Sequence, residues 1–179
     1  GEGGVFANFA NQDAQEVFNQ DYGASPWDDE HPGGGPTRLS HFDVEHFPEF
    51  MPYVLEAQII KVVDEKNWYQ YQRLDPPLVD MRDYVLKVTT ENKPPEATYY
   101  LRWEADNGFG PKPRKDSVRL KLCDGSWTLK ALGPNRTHLT YWLYTDPGGS
   151  IPGWIARKAN TVSLPDLLSA VRNRASNPN

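Results

Sequence analysis

The chain has 179 residues, 38% hydrophobic and 12% aromatic, which is the size of one domain able to bury a real core. A formal net charge of -5 leaves no basic stripe able to neutralise a phosphate backbone, which excludes a nucleic-acid binder. No run approaches the roughly 20 apolar residues of a spanning helix, and a single cysteine excludes an intramolecular disulfide and fits a reducing compartment.

At the front, Val5 to Ala10 reads as a strand and Asp13 to Gln20 as a short helix with Val17 and Phe18 inward. Residues 21–36 are too polar and too rich in Gly and Pro for regular structure and are assigned as an exposed insertion. A second short helix is expected near Asp43 to Phe50. His41 and His46 flank its start five positions apart, which misses the i, i+4 spacing of a helical zinc pair, so no metal is expected.

A series of period-two segments follows: Val54 to Val63, Trp68 to Leu74, Asp83 to Thr89, Thr98 to Glu104, Ser117 to Cys123, Ser126 to Leu132 and Arg136 to Tyr144. Polar turns separate them, beginning with Asp64 to Asn67, and the pattern is that of an antiparallel meander. Asp124-Gly125 carries the chemistry of a type I′ hairpin turn, and Gly133-Pro134-Asn135 is a second turn.

One parity of these strands is apolar and aromatic. Tyr99, Leu101 and Trp103 share a face; so do Val118, Leu120 and Leu122, then Trp127, Leu129 and Ala131, then Leu139, Tyr141 and Leu143. Tyr84, Leu86 and Val88 extend it, with either Tyr69 and Tyr71 or Trp68 and Leu74. The other parity holds Arg102, Glu104, Arg119, Lys121, His138 and Thr140, so the sheet has one dry and one wet face.

The chain then runs Thr145-Asp146-Pro147-Gly148-Gly149-Ser150-Ile151-Pro152-Gly153-Trp154 into a long amphipathic helix. Ser150 suits an N-cap, Pro152 a first turn, and Gly148-Gly149 a sharp bend out of the strand. Trp154, Ile155 and Ala159 form one apolar stripe and Leu164, Leu167, Leu168 and Val171 another, with Arg157, Lys158, Arg172 and Arg174 mostly opposite. Ser163-Leu164-Pro165-Asp166 between them marks a kink or a fresh start, and a kinked single helix is expected.

In order along the chain, Phe47 to Val54, Asp80 to Val85, Ser126 to Leu129 and above all Thr145 to Trp154 with the terminal helix resemble a START-type lipid-transfer domain. That family belongs to the helix-grip (Bet v 1-like) superfamily, which includes polyketide cyclases. The resemblance covers about Phe42 to Arg174. It implies an α+β fold in which a curved antiparallel sheet of about seven strands wraps a long C-terminal helix, with two short helices near the N-terminus. It also implies an elongated hydrophobic cavity between sheet and helix. START-type domains generally begin with a further helix and strands, so this chain reads as a shortened single domain, 1–179, or one from which residues were removed.

A sheet that curls without closing and is spanned by one helix leaves a hollow unless bulky side chains fill it. A cavity of roughly 300–1,000 Å³ with apolar and aromatic walls is a small-molecule site. Some ten buried methylenes would gain about 8 kcal/mol before association costs, without a charged clamp. The residues expected to bind the ligand are Tyr69, Tyr71, Tyr84, Leu86, Tyr99, Leu101, Trp103, Leu120, Leu122, Trp127, Leu129, Tyr141, Leu143, Trp154, Ile155 and Leu168, with Arg82 able to orient a head group.

Catalysis has little to build on. Cys123 has no histidine nearby in sequence, Arg82-Asp83 reads as an internal ion pair, and Arg102 and Glu104 read as a surface pair. The expectation is therefore a cofactor-free, monomeric carrier of a lipid or other hydrophobic small molecule, not an enzyme. The rivals are a cyclase that uses Tyr84, Tyr141 or Arg82 on a bound carbonyl, and a ligand-free interaction module. Arg157, Lys158, Arg172, Arg174 and the Lys112 to Lys115 loop could touch an anionic bilayer transiently. A cytoplasmic location is expected, with room for a leader cut away before Gly1.

Overall fold

The computed structural model describes residues 10–19, 44–133, 136–149 and 151–176. The strands are β1 (Ala10–Asn19), β2 (Val54–Asp64), β3 (Asn67–Leu74), β4 (Met81–Lys93), β5 (Thr98–Ala105), β6 (Ser117–Arg119), β7 (Leu122–Gly133) and β8 (Arg136–Asp146). A 3-10 turn (Val44–His46) leads into the short helix α1 (Phe47–Phe50), and the long helix α2 spans Gly153–Ser176.

Seven strands form one antiparallel sheet in the order β1-β8-β7-β5-β4-β3-β2, and β6 joins it beside β4. The helix-grip architecture is present: this open sheet carries one long C-terminal helix whose Leu164, Leu167 and Leu168 pack on the core while Val171 is buried in it. The expected stripe is thus the one that faces the sheet. The helix continues through Pro165 as one element, whose ring removes an N–H from the backbone ladder without ending it.

The β2–β3 turn forms as its residues predict. Asp64 accepts from the backbone N–H of Lys66 (2.8 Å) and from the Asn67 side-chain amide (2.8 Å), and these bonds hold its carboxyl below the ordinary range. At the other end of the meander, Asp146 accepts from the Gly148 N–H at 2.9 Å. Gly148 and Gly149 have φ of +61° and +68°, a conformation that a side chain would disfavour, and they redirect the chain from β8 toward α2.

Four expectations are corrected. The segment 13–19 is not a helix but part of β1, paired antiparallel with β8 from Ala10↔Tyr144 to Asn19↔Arg136. A free edge on β8 overrides the weak local helical pattern, and only one short helix, α1, lies near the front among the described residues. Asp124-Gly125 is not a turn: β7 runs straight through it. The Asp124 carboxylate accepts from the Ala105 N–H (3.1 Å) at the end of β5. A Cβ on Gly125 would collide with the Trp103 ring and lie 2.6 Å from the Trp142 carbonyl oxygen, so glycine is required by close approach.

Ser117 to Cys123 is not one strand. β6 pairs parallel with Met81 to Asp83, on the stretch of β4 beyond the reach of β5, and β7 begins only at Leu122. Asn107 spans the junction, accepting from the Val85 N–H (3.1 Å) and donating to the Leu120 carbonyl (2.7 Å). Finally, Arg102 pairs with Glu91 (3.9 Å) and Glu104 with Lys87 (3.3 Å), each across strands and not with each other. The expected insertion at 21–36, the strand at Val5, the Ser150 cap and the Pro134-Asn135 tip lie outside the described residues.

Candidate ligand-binding site

Cross-strand register decides which side chains meet. Directly opposed residues share a face, so the chain of pairs Gln72↔Tyr84, Gln70↔Leu86 and Trp68↔Val88↔Trp103 sets one surface. Leu101↔Trp127↔Tyr141 and Tyr99↔Leu129↔Leu139 continue it to the far strands. These residues form a single core cluster with Leu120 and Cys123, and α2 closes over it. Of the expected site, the structure brings together Tyr84, Leu86, Tyr99, Leu101, Trp103, Leu120, Trp127, Leu129, Tyr141, Leu143 and Leu168.

The aromatic rings are set against one another. Trp127 and Tyr141 have ring centres 4.4 Å apart, and Trp103 lies 6.0 Å from Tyr141. Two hydrogen-bonded pairs lie on this wall. Tyr84 Oη donates to Gln72 Oε1 (2.7 Å), and Trp68 Nε1 donates to Gln70 Oε1 (2.9 Å). Trp68, Gln70 and Gln72 complete the inner surface of β3. Their signal was the parity they share with Leu74 across from Tyr84 and Leu86.

Four expected residues sit elsewhere. Tyr69 and Tyr71 face the opposite side of the sheet, where they form a separate cluster with Val85 and Ile60. Both parities of β3 carry large aromatics, so alternation alone cannot orient the strand. Leu122 opposes Asp146 on that same outer side, because the break after β6 shifts the alternation and turns Cys123 inward. Trp154 is 55% exposed on the first turn of α2.

The charged groups have separated likewise. Neighbouring strand residues point to opposite faces, so Arg82 and Asp83 are not a pair. Asp83 is fully buried on the outer side, where Arg119 donates to it twice (2.9 and 2.8 Å) and Tyr71 Oη donates at 3.2 Å. Burial, then the Asp83 charge, pushes the Tyr71 hydroxyl up to about 12. This is a structural triad beneath β6.

Arg82, 5% exposed, lies on the inner parity at the end of the cluster. Its guanidinium donates to three backbone carbonyls: Asp80, Pro147 (3.3 Å) and Gly148 (3.4 Å). Burial draws its pKa down, and the Asp80 carboxylate acts in the opposite sense. Here the β3–β4 loop meets the start of α2 around an open hollow of about 710 Å³. Tyr53, Pro76, Pro77, Leu78, Val79, Pro152 and Ile155 make its walls, with Asp75, Asp80 and Arg82. Ile155 therefore belongs to the hollow, as Arg82 does.

Burial raises the Cys123 thiol to about 12 and holds the Tyr84 and Tyr141 hydroxyls far above their ordinary range, so all three are neutral at physiological pH. Among the described residues, no three His, Cys, Asp or Glu side chains converge as a metal site, and no helix is long and apolar enough to cross a membrane.

Comparison with known proteins agrees with this architecture. The chain is 31% identical over 134 residues to an uncharacterised protein of Pseudomonas aeruginosa, covering 74% of this chain and 65% of that protein. It thus spans just under two thirds of that relative's length. The structure of a STAR-related lipid transfer protein fragment from Xanthomonas axonopodis superposes with a TM-score of 0.74 at 23% identity, covering 93% of this chain and 86% of that one. Human STARD10 superposes with a TM-score of 0.73 at 18% identity, over 92% of this chain and 62% of that one. Residues 41–172 match the family described as polyketide cyclase / dehydrase and lipid transport, and the chain belongs to that family.

Proposed function

We propose that the protein binds a lipid or similar hydrophobic molecule reversibly between the inner face of its sheet and α2, and carries it. The observation that supports this most is the inner wall itself. Trp103, Trp127, Tyr141 and their aliphatic neighbours offer apolar area, and the two Gln-centred hydrogen bonds offer orientation without a reactive pair. The family description and the names of the structural neighbours support the same reading.

The enzyme reading draws on the cyclase / dehydrase half of the family description and on the buried Tyr84 hydroxyl. That hydroxyl already donates to Gln72 and is held neutral, so it is a poor proton shuttle, and a non-catalytic carrier is favoured. The protein acts as a single chain in the cytoplasm, in keeping with a lone buried thiol. Exchange takes place at a bilayer surface. Trp154 and Leu78, 55% and 69% exposed, are apolar contacts for that step.

Native mass spectrometry of the protein purified with extracted lipids tests the proposal. Bound lipid masses that leave when the protein is denatured, and quenching of its tryptophans by an apolar probe, are expected. Lipid-free protein throughout, with no probe bound, refutes carriage.

A further inference from the structure

A cation taken out of water needs an anionic partner or a dense set of acceptors, since an uncompensated buried charge costs several kcal/mol. Arg119 has such a partner in Asp83. Arg82, the more deeply buried of the two, has only carbonyls, and no carboxylate among the described residues lies within ion-pair distance of it. Three of its five N–H groups are accounted for by those carbonyls, which leaves two for another acceptor.

The surroundings fix the guanidinium in place. Pro147 and the left-handed Gly148 belong to the bend before α2 and Asp80 to the loop before β4, so the fork is clamped from two loops. The same arginine lines the hollow that opens toward Ile155 and Pro152, with apolar walls leading away from the charge. Asp75 and Asp80 also line this space, and their carboxylates oppose an anion there.

We infer that Arg82 anchors an oxyanion head group, a carboxylate or a phosphate, on the hydrophobic molecule carried by this protein. This rests on the carrier reading. A planar guanidinium with two free donors matches such a group, and the tail lies along the apolar wall. The ligand class is then an amphipathic acid or a phospholipid and not a neutral sterol or hydrocarbon.

The test compares oleate, oleyl alcohol and inorganic phosphate on the full chain by calorimetry. Oleate is expected to bind about tenfold or more tightly than oleyl alcohol, the scale of a charge-assisted hydrogen-bond pair. Arg82→Gln is expected to level the two by weakening oleate alone. Because that variant also loosens the two loops, Asp80→Asn serves as a second probe. It keeps the backbone carbonyl, removes a repelling charge, and should strengthen oleate about twofold with oleyl alcohol unchanged. Phosphate that binds alone and competes with oleate identifies a site for the free anion; phosphate without effect, with oleate still preferred, identifies a lipid head group. Equal affinity for acid and alcohol in the unmodified protein overturns the inference and leaves carriage intact. Absence of any hydrophobic ligand, by contrast, removes carriage itself.

Discussion

Gly125 is the position where the core tolerates least. With the Trp103 ring over its α-carbon and the Trp142 carbonyl 2.6 Å from where a Cβ would begin, neither neighbour can withdraw without moving the sheet. Gly125→Ala is expected to destabilise the fold by about 1–3 kcal/mol, read as a lower urea midpoint with unchanged slope. Two residues away, Cys123 is buried and its thiol is held protonated, so an aromatic disulfide reagent should fail to label it until the protein unfolds. Labelling at the rate of a free thiol in native buffer would contradict that placement. Asp83→Ala, which strands Arg119 beneath β6, should cost about 3–5 kcal/mol. Thermal unfolding would measure it.

Among the elements, α2 depends on a short row of contacts. Val171 is its most buried described side chain, and Val171→Ala should cost about 2 kcal/mol by lost transfer energy and a small void. Pro165 is exposed within the helix and contributes no N–H to its ladder. Pro165→Ala should therefore stabilise the protein, by up to about 3 kcal/mol, as a raised unfolding midpoint. These predictions follow from a stripe at Leu164, Leu167, Leu168 and Val171 that is readable in the sequence, because helical spacing and burial coincide there. The strand from Thr98 to Ala105 is readable for the same reason, since Tyr99 and Leu101 are buried while Arg102 and Glu104 are exposed. β1 is not. Its partner is β8, far along the chain, and nothing local in residues 13–19 reports that edge. Asp124-Gly125 misleads because the dipeptide that favours a turn also suits a site where one side chain must cap a strand end and the next must be absent. For the candidate site, alternation located the wall on β4, β5, β7 and β8. It could not choose between Trp68 and Tyr69 on β3, where cross-strand pairing alone decides.

For the molecule as a whole, the neutral buried acids set a limit at high pH. The Cys123 thiol moves from 9.0 to about 12 and the Tyr71 hydroxyl from 10.0 to about 12 on folding. Near neutral pH both are protonated whether the chain is folded or not, and their contribution is complete. As pH rises from 9 toward 12 the unfolded chain releases protons that the native one retains, so stability must fall through that window. Denaturant midpoints measured at intervals from pH 8 upward should decline progressively, and a flat profile would contradict the burial of these groups.

The pairing of β1 with β8 also governs how the protein is made. Ala10–Asn19 leaves the ribosome before the edge it must join, Arg136–Asp146, which is synthesised more than a hundred residues later, a wait of roughly 6–23 seconds at ordinary elongation rates. Throughout that interval the nascent chain holds an orphan strand, and once β8 emerges its open flank can recruit the wrong neighbour as readily as the right one. Productive biogenesis should accordingly lean on holdase chaperones more than the modest size of the domain would suggest.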